Sequence, residues 1–241
     1  MNAPSSAAQK VIFALDVATL EEARKLVNLL KGRTGFFKVG LELHTAYGRE
    51  AVKIVQGEGG RVFLDLKFHD IPNTVSRAAE EAVKLGVDMF NLHASGGTEM
   101  MRETVERCRK AAEKLNRRPP ILLGVTVLTS MDEGDLREIG MAGTVEERVV
   151  TLAELARKAG MDGVVASPRE ITSIRRRCGG DFVIVTPGIR PAFEAGKDDQ
   201  KRVMTAREAI SLGASYIVVG RPVRLAPDPA AAMDKVLEEI S

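Results

Sequence analysis

The chain has 241 residues and a mass of 26.1 kDa, with 44% hydrophobic and 28% charged residues, a balance that excludes intrinsic disorder. Lys+Arg number 35 against 33 Asp+Glu, a net charge of +2, and there is no Trp and only two Tyr, so the basic excess and stacking platforms of a nucleic-acid binder are missing. No apolar run reaches the ~18 residues of a membrane span, Met1–Lys10 is polar and Ala/Ser-rich without a secretory apolar core, and Cys108 and Cys178 make no disulfide framework. A reduced, cytoplasmic protein is expected, one domain spanning 1–241, with residues 1–9 as a flexible N-terminal extension.

Eight short apolar runs alternate with amphipathic stretches. The first, VIFALD (11–16), is followed by Thr19-Leu20-Glu21-Glu22, a capping-box pattern that predicts a helix over about 20–31. FFKVG (36–40) comes next, then Gly57-x-Gly59-Gly60 as a turn before RVFLDLK (61–67), then MFNLH (89–93). ILLGVTVL (121–128) is the fifth run, and Thr144-Val145-Glu146-Glu147 predicts a helix over about 145–159. GVVAS (163–167) leads into Ser167-Pro168-Arg169-Glu170, an N-cap with a first-turn proline. FVIVTPG (182–188) and YIVVGR (216–221) complete the set, and Asp228-Pro229 opens the last helix.

Most runs are continuously apolar, as parallel strands buried on both faces require. Lys84-Leu85-Gly86, Lys158-Ala159-Gly160 and Ser211-Leu212-Gly213 form a weak repeat ahead of three of the runs, with glycine where a helix ends. Eight units of about 30 residues suit an α/β protein of the (β/α)8 TIM-barrel class. The alternative is an open doubly wound sheet, but Asp16-Val17-Ala18-Thr19 stands where its glycine-rich turn belongs.

Polar residues collect at the C-terminal ends of the runs: Asp16, Lys38, Asp65, Lys67, His93, Thr129, Ser167, Gly220 and Arg221. In a (β/α)8 barrel those ends form the mouth that carries active sites. Asp65 and Lys67, two apart in a strand, share a face, with Asp70 three residues on and Lys38 on the neighbouring strand. Such alternating charges keep the lysines protonated, and a protonated lysine beside a reacting carbon is a general acid. A structural salt-bridge network at the rim remains the other reading. A metal site is disfavoured by the interleaved lysines, and a Schiff-base lysine by the carboxylates beside it.

Gly220 and Arg221 end the eighth run, where such barrels bind phosphate. The long segment Pro187–Gln200 is either a closing loop or plain surface. Cys108, between Arg107 and Arg109, reads as an ordinary thiol, Cys178 as a helix-end residue, and Arg175-Arg176-Arg177 as a solvated helix end.

Asp65-Leu66-Lys67-Phe68-His69-Asp70-Ile71-Pro72-Asn73-Thr74 resembles the signature of the orotidine 5′-phosphate decarboxylase family. The resemblance runs over nearly the whole chain. It takes in FALD with Asp16, FKVGLE with Lys38, VTVLTSM with Thr129, TPGIR (186–190) and VVGR (218–221). It implies a homodimeric barrel that turns orotidine 5′-monophosphate into uridine 5′-monophosphate and CO2 without metal or organic cofactor. By resemblance, Lys67 protonates C6 of the pyrimidine, Asp65 faces the departing carboxylate and Lys38 completes the network. Asp70 and Thr74 would reach the partner's site, Asp16 would bind ribose, and Thr129 the pyrimidine. Arg190, Gln200, Gly220 and Arg221 would hold the phosphate. Two alternatives stay open: a Mg²⁺-dependent barrel acting on a sugar phosphate, such as a 3-keto-gulonate-phosphate decarboxylase or hexulose-phosphate synthase, and a catalytically silent phosphate binder.

Overall fold

The structure is a computed structural model, and it describes residues 5–191 and 204–241. Its eight strands are β1 (Val11–Ala14), β2 (Phe36–Val39), β3 (Val62–Phe68), β4 (Met89–His93), β5 (Ile121–Val125), β6 (Gly163–Val165), β7 (Val183–Thr186) and β8 (Tyr216–Val219). All pair in parallel with their neighbours in sequence, and β8 pairs back onto β1, so the sheet closes into a barrel. Each expected apolar run contains one strand, and helices fill the intervals. The (β/α)8 barrel is therefore the architecture, and the open sheet is excluded.

Alternation along each strand sorts the core into two parts. Val11, Phe13, Phe37, Phe90, Leu92, Ile184, Ile217 and Val219 pack outward under the helices. Ile12, Phe36, Phe63, Met89, Leu123, Val185 and Val218 fill the barrel's interior as a separate apolar cluster. That interior layer is the floor on which the polar residues of the mouth stand.

Local signals set the helices. Thr144 and Glu147 form a complete capping box at the start of Val145–Lys158, and Asp228 caps Pro229–Glu239 through the amides of Ala230 and Ala231. At Leu20–Leu30 only half of the expected box forms: Thr19 accepts from the Glu22 amide. Gly86, Gly160 and Gly213, the repeat glycines, all have positive φ (79°, 85° and 105°), the left-handed conformation that ends a helix.

Two expectations are corrected. Part of the expected extension is ordered: Ser6–Gln9 form a helical turn capped by Ser5, with Ala7 and Ala8 buried. Burial of two small apolar side chains and the Ser5 side-chain cap both favour this ordered turn. Arg175 is not a solvated helix-end residue. Its guanidinium donates to the carbonyls of Gly213 (2.7 and 2.8 Å), Gly179 and Gly180 (3.0 Å each) and Phe182, and to Ser215 Oγ (2.9 Å). It ties the end of Ile171–Cys178 to the turns before β7 and β8, because orphan carbonyls there need donors.

Candidate active site

The C-terminal strand ends carry a continuous ion network. Lys38 on β2 places Nζ 3.0 Å from Asp16 Oδ1, just past β1, and 3.3 Å from Asp65 Oδ2 on β3. Lys67 Nζ lies 2.7 Å from the other carboxylate oxygen, Asp65 Oδ1. Each oxygen of Asp65 therefore faces one ammonium. Burial alone would raise the Asp65 pKa, but Lys38, Lys67 and a hydrogen bond from Asn91 hold it below the usual aspartate value. Burial would likewise discharge Lys38, yet Asp65 and Asp16 hold it above the usual lysine value.

The main chain around Lys67 departs from the simple strand expected. Lys67 has φ 54°, in the left-handed region that a side chain with a Cβ rarely adopts. Pairing on β4 moves from Leu64↔Phe90 to Phe68↔Leu92, so four steps along β3 match two along β4. Asp65 and Lys67 still meet, but through this bulge rather than through plain strand alternation.

A cavity of about 160 Å³ opens beside the network. Lys38, Asp65, Lys67 and Thr129 form its polar side, and Phe63, Val125, Val165 and Val218 its apolar side. One charged wall facing an apolar slot suits a planar ring that undergoes a charge change at one edge. A larger groove of about 740 Å³, bordered by Arg61, Asp88 and Arg117, lies at the opposite end of the strands, away from these groups.

The remaining expected residues are distributed as follows. Gly220 and Arg221 stand at the end of β8, and Arg190 follows the adjacent β7, its amide donating to Met204 O (3.0 Å). Gly220 brings β8 close against β1: a side chain there would begin 3.3 Å from Ala14 Cβ and 3.9 Å from Asp16 Oδ2. Asp70 and Thr74 are not brought into the network. Both are exposed, Asp70 in the loop after β3, where it accepts from the Ile71 amide (2.6 Å), and Thr74 in the first turn of Pro72–Leu85. Gln200 lies outside the described residues.

Two further residues belong to this mouth. Asn91, unselected from the sequence, is fully buried on β4 and bonds both Asp65 and Lys67. The signal for it was a lone amide at an inward position of the apolar run MFNLH. His93, two residues on, packs against His69 with ring centroids 5.1 Å apart and the rings tilted by 36°. Burial, His69 and Lys67 together lower its pKa, against the opposing pull of Asp65. Cys108 plays no part here: burial, helped by Glu80, outweighs the lowering pull of Arg107 and pushes the thiol up to about 12.

A closed parallel barrel whose mouth holds two lysines alternating with two aspartates beside an apolar slot has the arrangement of a (β/α)8-barrel enzyme. The comparisons with known proteins narrow this. The model of the orotidine 5′-phosphate decarboxylase / HUMPS family matches residues 9–236, and the chain belongs to that family. It is 55% identical over 235 residues to an orotidine 5′-phosphate decarboxylase of Moorella thermoacetica, covering 97% of this chain and 93% of that protein. It is 56% identical to the one from Geobacter sulfurreducens, with 97% of each covered. The crystal structure of orotidine 5′-phosphate decarboxylase from Lactobacillus acidophilus is similar along the full length of both chains, with a TM-score of 0.84 and 38% identity.

Proposed function

We propose that this chain decarboxylates orotidine 5′-monophosphate to uridine 5′-monophosphate and CO2, the closing step of pyrimidine nucleotide synthesis. The observation that carries the reading is the Lys38–Asp65–Lys67 network at the edge of an apolar slot, in a chain 55% identical to a decarboxylase of that name.

Breaking the bond between C6 and the carboxylate leaves an electron pair on C6 that the ring cannot delocalise well. The Lys67 ammonium stands where that charge develops, stabilises it, and then transfers a proton to C6. Lys67 recovers its proton from solvent, so one proton is consumed per CO2 released. Asp65 faces the departing carboxylate and pairs with both lysines. Asp16 holds the ribose, with Lys38 beside it. Thr129 contacts the pyrimidine. Arg190, Gln200, Gly220 and Arg221 take the phosphate, and its binding energy, far from C6, contributes to the chemical step. The fixed ammonium supplies the charge stabilisation itself, and this mechanism uses neither metal nor organic cofactor.

The reading includes a homodimer in which Asp70 and Thr74 complete the partner's site. Its support is that both are exposed beside Ile71, an apolar side chain that is 66% exposed. It also places the enzyme in the cytoplasm, in keeping with two buried, unpaired thiols, Cys108 and Cys178.

The test is purified protein with orotidine 5′-monophosphate and excess chelator, followed by ultraviolet absorbance. Conversion to uridine 5′-monophosphate is expected. Binding of uridine 5′-monophosphate without conversion would favour a silent binder. Neither binding nor conversion, with activity on a sugar phosphate once Mg²⁺ is restored, would replace the reading with the sugar-phosphate one.

A further inference from the structure

The side chain of Asn91 lies wholly inside the barrel, one layer above the apolar floor, and hydrogen-bonds Lys67 and Asp65. Its Oδ1 accepts the main-chain N–H of Lys67 at 2.8 Å. Its Nδ2 donates to Asp65 Oδ1 at 2.7 Å, the same oxygen that receives the Lys67 ammonium. The bulge explains why an amide stands here. Between Leu64 and Phe68 the β3–β4 ladder is interrupted, so the Lys67 N–H has no strand carbonyl opposite it. A buried N–H without an acceptor is costly, and Asn91 supplies the acceptor from its side chain. The left-handed backbone of Lys67 is a conformation that persists only where surrounding bonds enforce it.

We infer that Asn91 is a positioning residue: by gripping the Lys67 main chain and the Asp65 carboxylate together, it sets where the Lys67 ammonium stands. The geometry is independent of any assigned activity, whereas the consequence for turnover rests on the decarboxylase reading. Asn91 does not line the cavity, so its influence reaches the reacting atoms through Lys67 and Asp65. Asparagine fits both demands, since one end must accept and the other must donate to a carboxylate. Aspartate at this position keeps the acceptor but sets a second carboxylate against Asp65, until it takes up a proton and donates in its turn.

The titratable groups around position 91 are Asp65 and Lys67 on β3, Lys38 on β2, Asp16 beyond β1, and His93 with His69 above it, while β5 opposes Asn91 with Leu123. In Asn91→Ala, kcat is expected to fall about 100-fold with KM within about threefold, as misplacing a reacting group without touching the ligand does. In Asn91→Asp, kcat relative to native is expected to recover at least about tenfold as pH falls and the added carboxyl protonates. Crystal structures of both variants at neutral pH should show Lys67 leaving the left-handed region, with its Nζ displaced from Asp65.

A kcat within about threefold of native in Asn91→Ala, or a Lys67 backbone and Lys67–Asp65 contact unchanged in both structures, would overturn the inference. So would a pH profile of Asn91→Asp parallel to the native one, or failure of both variants to fold, which would make Asn91 a stability residue. Native protein inactive on orotidine 5′-monophosphate would defeat the decarboxylase reading instead, and the crystal comparison would still decide the geometry.

Discussion

The ammonium of Lys38 lies 3.3 Å from Asp65 Oδ2, and the two side chains are only 11% and 13% exposed. A half-broken pair in that setting leaves an uncompensated charge away from water. The folded protein holds Asp65 below its ordinary value of 3.8 and Lys38 above its ordinary 10.5. The sign is fixed at each end. Asp65 stabilises the fold above its unfolded pKa and loses that contribution as pH falls through its folded value. Lys38 stabilises it below its unfolded pKa and loses that contribution as pH rises through its folded value. In urea unfolding across pH, the contribution of this pair should therefore stay constant between about pH 4 and 10.5 and be lost on both sides. In Lys38→Met the alkaline loss from this pair should vanish. A loss above about pH 10.5 as large in that variant as in the native protein would disprove the assignment.

His93 is expected to be neutral through the physiological range. Burial, His69 and Lys67 depress its pKa below the ordinary 6.5. The unfolded chain then takes up a proton first, so this residue costs stability as pH falls below about 6.5. Histidine proton resonances followed against pH should give His93 a midpoint under 6.5. A midpoint above that value would show that Asp65 outweighs its cationic neighbour.

Replacing Lys67 with alanine should leave a folded barrel and remove more than about 1,000-fold of kcat, since charge stabilisation and proton delivery go together. Circular dichroism and steady-state kinetics check the two halves. A folded variant keeping a tenth of native turnover would move the proton donor elsewhere.

Asp70 and Thr74 make a separate prediction. If each completes the neighbouring subunit's site, Asp70→Asn and Lys67→Ala proteins, each impaired alone, should regain activity when unfolded together and refolded as a mixture. One site of the hybrid then carries both native residues. Activity equal to the sum of the separate proteins would place Asp70 within its own chain's site.

Arg175→Ala should destabilise the fold by about 2–3 kcal/mol, because several carbonyls lose a charged donor at once. Arg175→Lys should recover little, since an ammonium cannot span the same fork of acceptors. Thermal and urea unfolding measure both.

The barrel was legible because its signals are local and repeated. Apolar runs such as FFKVG and GVVAS, and the helix-ending Gly86, Gly160 and Gly213, each carry their own structural instruction. Lys38, Asp65 and Lys67 were legible because charge at the end of an apolar strand stands out. The bulge was not, since nothing in Asp65-Leu66-Lys67 signals a positive φ; the conformation is imposed by Asn91 and the neighbouring strand. Arg175 was misread because two of its acceptors, Gly213 and Ser215, are about forty residues away and meet it only in the closed barrel. Cys108 was legible as an ordinary thiol, but its burial, which raises the thiol pKa, is not revealed by a helix sequence by itself.

The apolar layer of Ile12, Phe36, Phe63, Met89 and Leu123 shuts the barrel from beneath. Whatever lodges between Lys67 and Thr129 must depart by the route it entered. On the decarboxylase reading, a nucleotide and a gas molecule formed above that floor both leave past the strand ends, so a change at the rim bears on the release of both.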